Sequence, residues 1–255
     1  MKNKPLILGH RGYRAKFPEN TMLAFKQAYQ HGAQGIECDI QKTGDGEYIV
    51  FHDDELSRIT GYEGMVKDTS YDEIRVLNAG NGEPVPHIKE FLDSLPHDKF
   101  INIELKEETL TPADSGVILK MLTERGLKDN ILVSSFMHTL LPVFKRADYK
   151  TGLLFNDKHF EKGIMKPVFE VFKYRPWSVN LPVKKFTGEA PGFRMKLFLL
   201  IMKLFGMKII YWTVNEVEQY DEVAPYAHSV ITDNVELIIN LNQARFQVQE
   251  DRKVR

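Results

Sequence analysis

A histidine and an arginine at the end of a short apolar run are the first residues here whose types suggest chemistry. Residues 6–8 have the pattern of a buried strand, and His10-Arg11-Gly12 follows at once. Imidazole titrates near neutral pH, and a guanidinium binds anionic oxygens. Pro18-Glu19-Asn20-Thr21 then opens a helical pattern, with Asn20 or Thr21 as a natural N-cap. A strand with polar groups at its carboxyl end and a returning helix is the βα unit of a barrel or doubly wound sheet.

Two carboxylates lie on the second predicted strand, residues 35–40. Side chains alternate across a strand, so Glu37 and Asp39 share one face. Carboxylates side by side on an interior face repel each other unless positive charge lies between them. A hard divalent cation, Mg²⁺ or Ca²⁺, supplies that charge and prefers oxygen ligands. A solvated edge strand, or a salt bridge to Arg11 or Lys106, explains the pair equally well.

Polar side chains also mark two further extended runs. His52 follows the run 47–51, where a single histidine fits a structural hydrogen bond at least as well as catalysis. In residues 100–106 polar and apolar side chains alternate, so one face of the strand is polar. If the strand is buried on both sides, that polar face must line a functional site. The side chains on that polar face are Asn102, Glu104 and Lys106.

The elements that position these groups alternate between strand and helix along the whole chain. Eight apolar strands are each followed by helical periodicity, and eight is the closure number of the TIM (β/α)8 barrel, an α/β fold. The predicted strands are 6–8, 35–40, 100–106, 131–135, 151–155, 177–181, 208–213 and 229–232. Residues 54–85 are too long for an ordinary βα connection, so we expect a small insertion over the barrel mouth, between strand 2 and its helix. We expect one domain over 1–255, a last helix over 235–241 and a frayed tail over 243–255.

Taken together, six short motifs resemble those of the glycerophosphodiester phosphodiesterase family. They occur in the family's order, each at or near the carboxyl end of a predicted strand, and the first is followed by the Pro-Glu-Asn-Thr of the same signature. The motifs are His10-Arg11-Gly12, Glu37-x-Asp39, Phe51-His52-Asp53, Glu104-Leu105-Lys106, Trp212-Thr213-Val214-Asn215 and Thr232-Asp233. The resemblance spans 6–234 and departs from the family at Asn234-Val235, where a proline is common. No motif aligns over 155–205, the region in which we expect substrate preference to be encoded.

The resemblance implies a TIM-barrel phosphodiesterase that uses one divalent cation, Mg²⁺ or Ca²⁺. A phosphodiester repels nucleophiles and its alcohol leaves poorly unless protonated, so the reaction needs a cation, a base and an acid. The implied roles are metal binding by Glu37, Asp39 and Glu104, acid–base catalysis by His10 and His52, phosphate binding by Arg11 and Lys106, and support by Glu19 and Asn20. Trp212 is implied as a wall for the glycerol moiety, with plain barrel core as the alternative. The resemblance favours His10 as the acid, an assignment that the residues alone leave open.

Composition is ordinary for a globular protein, with 43% hydrophobic and 27% charged residues and a net charge of −1. The single cysteine, Cys38, excludes an internal disulfide and permits a reducing compartment. The sequence has neither a signal-peptide pattern nor the ~20 continuous apolar residues of a membrane span. We therefore expect a cytoplasmic protein whose partner is a small-molecule phosphodiester and not a nucleic acid.

Residues 158–208 are unusual in both charge and hydrophobicity. They contain eleven Lys or Arg against three acids, a net charge of +8, while the rest of the chain carries −9. Residues 193–205 are apolar almost all round a helix, and 162–175 interleave apolar and basic residues. These helices either pack deeply against each other or against a second subunit of a homo-oligomer, or form a patch that contacts anionic membrane peripherally.

Three functions are compatible with these features. The first is metal-dependent hydrolysis of glycerophosphodiesters to an alcohol and glycerol 3-phosphate. The second is a lysophospholipase D, similar to the sphingomyelinase D barrels, which acts on lysophospholipids at a membrane surface. The third is a non-catalytic barrel that binds phosphate or lipid. The sequence leaves open whether water or a substrate hydroxyl attacks.

Overall fold

The structure, a computed structural model, describes residues 4–187 and 192–251, with side chains up to Arg245. Over these residues the chain forms nine strands. They are β1 (Leu6–His10), β2 (Gly35–Lys42), β3 (Tyr48–Val50), β4 (Phe100–Leu105), β5 (Ile131–Ser135), β6 (Lys150–Leu154), β7 (Ser178–Pro182), β8 (Lys208–Trp212) and β9 (Ser229–Thr232). Their positions agree with the eight strands expected from the sequence, and β3 lies within the further extended run expected at 47–51.

Eight of these strands, all except β3, run parallel and close into a barrel. Closure is seen at β1, which pairs with β2 on one side and with β9 on the other. The predicted TIM barrel is therefore confirmed. Because all the barrel strands are parallel, their carboxyl ends meet at one end of the barrel, which is called the mouth below.

Helices surround the barrel and follow its strands. In the described residues they are α1 (Met22–Gln30), α2 (Ser57–Thr60), α3 (Tyr71–Ile74), α4 (Ile88–Asp93), α5 (Pro112–Glu124), α6 (Pro142–Arg146), α7 (Asp157–Phe160), α8 (Met165–Tyr174), α9 (Phe193–Leu204), α10 (Val217–Val223) and α11 (Val235–Asp251). None of the helices described here is long and apolar enough to cross a membrane.

Alternation along each strand separates two cores. Inside the barrel lies an apolar cluster of Leu8, Leu132, Ile210 and Ile231. The opposite faces of the strands, including Ile7 and Cys38, pack beneath the helices in the main core. Since His10 is two residues beyond Leu8, it shares the inner face and lies at the mouth.

The insertion predicted at 54–85 lies between β2 and α4, as expected. It begins after β3, which pairs antiparallel with the end of β2. Its turns include α2 and α3, each only four residues long. A small apolar core holds it together, made of Ile49, Phe51, Leu56, Val66, Ile74, Ala79 and Val85.

The expected end of the last helix was wrong. Helix α11 continues past Leu241 to Asp251, so 243–251 are helical, not frayed, and 252–255 lie outside the described residues. Two contacts explain the extension. The Asn242 side chain is buried, accepts a hydrogen bond from Tyr220 Oη at 2.7 Å and donates to the Pro5 carbonyl at 3.3 Å. Arg245 binds Asp221 through both Nε and Nη2.

Candidate active site

A tight turn after β1 positions the first group of polar side chains. Arg11 and Gly12 have φ values of 53° and 83°, in the left-handed region. A Cβ at Gly12 would lie 2.6 Å from the Ala24 carbonyl carbon, so only glycine fits this close approach. The turn directs the Arg11 N–H to Glu37 Oε2 at 3.0 Å, and the Arg11 carbonyl accepts from the N–H of Asn20 at 2.9 Å. Left-handed non-glycine residues are costly and persist where the surroundings fix them, as here.

Three buried carboxylates converge beside this turn. Glu37 and Asp39 come from β2 and Glu104 from β4, and one carboxylate oxygen of each lies within 4.8 Å of the others. The strand register places Asp39 directly opposite Glu104. The side chains that alternation put on one face of each strand are thus brought together at the mouth.

Of the salt bridges weighed in the sequence analysis, the one from Arg11 to Asp39 is present, whereas Lys106 pairs with Glu104. Arg11 Nε lies 3.4 Å from Asp39 Oδ2, and Lys106 Nζ lies 3.2 Å from Glu104 Oε1. Asn20 Nδ2 also donates to Asp39 Oδ2 at 2.9 Å. These two cations face three carboxylates, so one negative charge of the cluster lacks a partner of full charge.

The ionisation of the cluster reflects this imbalance. Burial, together with the charges of Asp39 and Glu104, raises the pKa of Glu37 well above its ordinary value. Burial also raises the pKa of Glu104 to about 7, although Lys106 opposes the shift. Burial would raise the pKa of Asp39 too, but the charges of Arg11 and Lys106 and the other positive and hydrogen-bonding neighbours together outweigh it and hold that pKa below its usual value. Three oxygen donors that need further positive charge to ionise together fit a hard divalent cation such as Mg²⁺ or Ca²⁺.

Both predicted catalytic histidines lie beside the cluster, and each is held by a carboxylate. His10 Nδ1 is 2.6 Å from Asp233 Oδ1, and His52 Nδ1 is 2.7 Å from Asp53 Oδ1. His10 Nε2 lies 3.9 Å from Glu37 Oε2, beyond hydrogen-bond distance. Among the residues that the structure describes, neither Nε2 atom has a hydrogen-bond partner. Since the carboxylate accepts the Nδ1 proton, the Nε2 atom of each ring is left for proton transfer.

The protonation of the two rings is set by burial. Burial lowers the pKa of His10, although the hydrogen bond to Asp233 opposes the shift. Burial likewise lowers the pKa of His52, against the charge of Asp39. Burial would raise the pKa of Asp233, but the hydrogen bonds from His10 and Asn215 and the charge of Arg14 together keep the pKa of that carboxyl below its usual value. Its other oxygen accepts from Asn215 Nδ2 at 2.7 Å.

Glu19 joins the first turn to the insertion through three arginines. It accepts from Arg11 Nη1 at 2.7 Å, and its other oxygen lies 2.8 Å from Arg14 Nε. Arg58, on α2 of the insertion, donates to both Glu19 oxygens, at 2.7 and 3.2 Å. The Nε atom of Arg58 also donates to Asp53 Oδ2. A single guanidinium therefore connects the support of Arg11 with the support of His52.

Trp212 lies at the mouth end of β8 and fits both interpretations considered for it. Its ring packs on the apolar cluster inside the barrel and meets Phe136 edge-on, with centroids 5.8 Å apart. Its Nε1 atom is buried and has no hydrogen-bond partner among the described residues. On the opposite side of the mouth, a cleft of about 460 Å³ reaches His52, Arg58 and Lys106.

All the residues predicted for the site thus occur at one end of the barrel, but four that support them were not assigned from the sequence. Asp53, Asn215 and Asp233 lay within the quoted motifs, which was the only signal for them. Arg58 lies in the insertion, and no local pattern distinguishes it from other surface arginines.

The fold and the geometry define a class: a parallel eight-stranded barrel with a metal-type acidic cluster beside two histidines at its mouth. Comparison with known proteins is more specific, since the model of the glycerophosphoryl diester phosphodiesterase family matches residues 10–237. The chain belongs to this family.

Relatives and solved structures resemble it over nearly their whole length. A glycerophosphodiester phosphodiesterase from Caldanaerobacter subterraneus subsp. tengcongensis is 33% identical over 250 residues, 93% of this chain and 98% of the other. The crystal structure of a glycerophosphodiester phosphodiesterase from Thermotoga maritima matches with a TM-score of 0.78 and 31% identity, covering 94% of this chain and all of the other. An Oleispira antarctica phosphodiesterase, solved with the product sn-glycerol-3-phosphate, has a TM-score of 0.80 at 23% identity, over 93% and 96% of the two chains.

Proposed function

We propose that this protein hydrolyses glycerophosphodiesters to an alcohol and glycerol 3-phosphate with the help of one divalent cation. The observation that carries the proposal is the buried cluster of Glu37, Asp39 and Glu104 between two histidines, each of which has Nε2 available. Family membership and the activity named for the relatives support the same reaction. A non-catalytic barrel would have no need for two imidazoles oriented in this way.

In this proposal the three carboxylates hold Mg²⁺ or Ca²⁺. When bound, such a cation supplies positive charge to the non-bridging oxygens of the phosphate. Arg11 and Lys106 bind the same phosphate group from the protein side. The Nε atom of Arg11 is buried, lies 3.4 Å from Asp39 Oδ2 and donates no hydrogen bond within the described residues.

The histidines move the protons. His52 Nε2 takes the proton of the attacking oxygen as the new P–O bond forms, and Asp53 stabilises the resulting imidazolium. His10, protonated at Nε2, gives its proton to the oxygen of the leaving alcohol as the bond between that oxygen and phosphorus breaks. Asp233 keeps the His10 ring oriented. Trp212 forms the wall against which the glycerol moiety lies, and Glu19 and Asn20 hold Arg11 and Asp39 in place.

Phosphorus NMR of glycerophosphocholine with added Mg²⁺ or Ca²⁺ tests the proposal. We expect the signal of glycerol 3-phosphate to appear, and phosphocholine as the product would contradict the proposal. A transient cyclic phosphate would identify a substrate hydroxyl as the nucleophile, and its absence throughout the reaction would favour water.

Lysophospholipase D activity on lysophospholipids is a second candidate. Exposed apolar side chains on α8 and α9, beside basic residues, favour it because a lysophospholipid is presented at a membrane surface. The same NMR experiment with lysophosphatidylcholine decides between the two candidates: faster turnover of the lysophospholipid supports the second, and the opposite order supports the first. We also propose a cytoplasmic location, supported by Cys38, which is buried and unpaired.

A further inference from the structure

Helices α8 and α9 expose an unusual amount of apolar surface. Of the twelve large apolar side chains that are exposed in the described residues, seven belong to these two helices and the residue that ends α9, and they are 47–80% exposed. They form the α8–α9 face, which consists of Met165, Phe169, Phe172, Phe193, Leu200, Leu204 and Phe205. Clustering of this kind marks an interaction surface, whereas single exposed apolar residues are ordinary.

The helical periodicity places these residues on the outer sides of both helices. On α8, Met165, Phe169 and Phe172 are spaced i, i+4 and i+7, and on α9 the exposed residues Phe193, Leu200 and Leu204 are spaced i, i+7 and i+11. Other apolar side chains of these helices are buried toward the barrel: Pro167, Val168, Val171, Met195, Phe198 and Met202. Both helices are thus apolar on the buried side and on the outer side, whereas a barrel helix usually has a polar outer side.

The exposed sides of the two helices are continuous. At their carboxyl ends the rings of Phe172 and Phe205 meet with centroids 4.7 Å apart. At their amino ends Gly163, just before α8, lies close to Arg194 of α9: a Cβ on this glycine would be 3.9 Å from Arg194 Nη1. The helices therefore lie side by side and parallel, and both begin near the barrel mouth, where β6 and β7 end. Of the alternatives given in the sequence analysis, packing of the two helices against each other does not cover these residues, which are exposed.

Basic side chains border the face. On and just before α8, Lys162, Lys166 and Lys173 are exposed, and α9 exposes Arg194, Lys196 and Lys203. At 100° per residue, the two lysines within α8, Lys166 and Lys173, lie about 80–100° from Met165, along one edge of its stripe. The acidic residue of α8, Glu170, is directed to His138 at 3.2 Å.

We infer that the α8–α9 face binds the surface of an anionic lipid bilayer, with its apolar side chains in the headgroup boundary and its lysines against the lipid phosphates. An apolar stripe with a basic border is the arrangement that binds such surfaces. A symmetric dimer through this face would bring the same basic patch against itself, because a two-fold interface uses one patch on both subunits. The consequence of membrane binding rests on the proposed function: a lipid-derived phosphodiester would reach the nearby barrel mouth from the membrane.

Co-sedimentation with vesicles tests the inference on the intact chain. We expect binding to vesicles of phosphatidylglycerol mixed with phosphatidylcholine at low salt, weaker binding at high salt, and little binding to phosphatidylcholine alone. Absence of binding to the anionic vesicles at low salt would overturn the inference. Equal binding to both kinds of vesicle would overturn the role of the basic border.

Two variants locate the contact. Phe169→Ser/Phe193→Ser should weaken partition by more than about tenfold, because each phenylalanine buries apolar surface in the boundary. Lys166→Gln/Lys173→Gln/Lys196→Gln/Lys203→Gln should also weaken it by more than about tenfold. Matched controls change the same number of exposed apolar residues and of lysines elsewhere on the surface. Val76→Ser/Val117→Ser and Lys26→Gln/Lys67→Gln/Lys89→Gln/Lys120→Gln should bind like the wild type, and equal loss in these controls would contradict the location.

Two further measurements separate this inference from the proposed function. Turnover of soluble glycerophosphocholine should be unchanged in the variants of the α8–α9 face, since none of these residues lies in the candidate active site. This assay tests the proposed reaction independently of vesicle binding. Sedimentation velocity should give a monomer for the wild type. A wild-type dimer that Phe169→Ser/Phe193→Ser converts to monomer would assign the face to self-association and overturn the inference.

Discussion

At the scale of single residues, the two histidines of the candidate active site have the same kind of support. A carboxylate holds Nδ1 of each histidine, Asp233 for His10 and Asp53 for His52, at distances of 2.6 and 2.7 Å. Because a carboxylate only accepts, Nδ1 of each ring carries a proton and Nε2 is left without a partner among the described residues. Two rings with equivalent support can act as acid and base in a single displacement.

If both histidines transfer protons, each should matter separately. General acid–base catalysis typically contributes ~10²–10⁴-fold, so we expect His10→Ala and His52→Ala each to reduce kcat on glycerophosphocholine by that factor. Circular dichroism and thermal melting serve as controls that the fold is kept. Wild-type turnover in either variant would show that its imidazole is structural and that the pair is wrongly assigned.

Arg58 should act as a positioning residue, because it contacts Asp53 and Glu19 rather than the reacting centre. We expect Arg58→Gln to reduce kcat by about tenfold, since positioning errors far from the chemistry are costly. Arg58→Lys should recover only part of this loss, because an ammonium cannot reproduce the fork that serves two carboxylates. The matched control is Arg75→Gln in the same insertion, where Arg75 pairs with exposed Asp72. Equal kcat values in Arg58→Gln and Arg75→Gln would refute the positioning role.

At the scale of elements, one buried carboxylate links β2, β3 and the start of α5. Asp114 accepts from Lys42 Nζ and Tyr48 Oη, both at 2.8 Å, and forms a capping box with Thr111. Burial opposes its ionisation, but these bonds outweigh it and lower the pKa of Asp114 to about 2 from 3.8. Asp114 therefore fastens the β2–β3 hairpin to the start of α5.

The sign of the pH dependence of folding stability follows from that lowered pKa. The unfolded state binds the proton more readily, so the stabilisation by Asp114 is present above about pH 4 and is lost as the pH falls toward about 2. We expect Asp114→Asn to lower the free energy of unfolding by on the order of 1–2 kcal/mol at neutral pH, with a difference that shrinks in acid. Urea unfolding over a pH series measures this. Asp129→Asn, at an exposed position, should change little, and a difference for Asp114→Asn that is independent of pH would contradict the linkage.

Strand alternation explains how much of the site could be predicted. Once Glu37 and Asp39 share a face, and Glu104 and Lys106 share another, parallel closure alone brings the four side chains to one mouth. The same logic does not reach Arg58, since its approach to Glu19 depends on how the insertion folds back over the mouth. Strand alternation also says nothing about the end of α11. The apolar periodicity of the sequence stops near Leu241, and tertiary contacts of Asn242 and Arg245 stabilise the helix beyond that point.

At the scale of the whole molecule, repulsion within the acidic cluster lowers the stability of the metal-free fold. Three buried carboxylates within 4.8 Å repel one another, while Arg11 and Lys106 compensate only two of them. A divalent cation that binds the folded state should therefore stabilise the entire barrel by mass action.

Calorimetry should detect this coupling without any assay of activity. We expect saturating Mg²⁺ or Ca²⁺ to raise the Tm of the wild type by several degrees. Glu37→Gln, which removes one buried carboxyl and its repulsion with Asp39 and Glu104, should not have a lower Tm than the wild type when both are metal-free, and should lose most of the rise with metal. Glu90→Gln, a variant on the surface of α4, is the control. An unchanged metal-induced rise in Glu37→Gln would exclude Glu37 as a ligand.

The central claim is that this cluster and its cation are needed for the reaction, and the rate of glycerol 3-phosphate release after metal removal tests it most directly. Phosphorus NMR follows glycerophosphocholine with wild-type protein stripped by EDTA, and then with Mg²⁺ or Ca²⁺ restored in excess of the chelator. The account predicts no detectable release from the stripped protein and recovery on restoration, with no recovery in Asp39→Asn. Full turnover by the stripped protein in excess EDTA would contradict it.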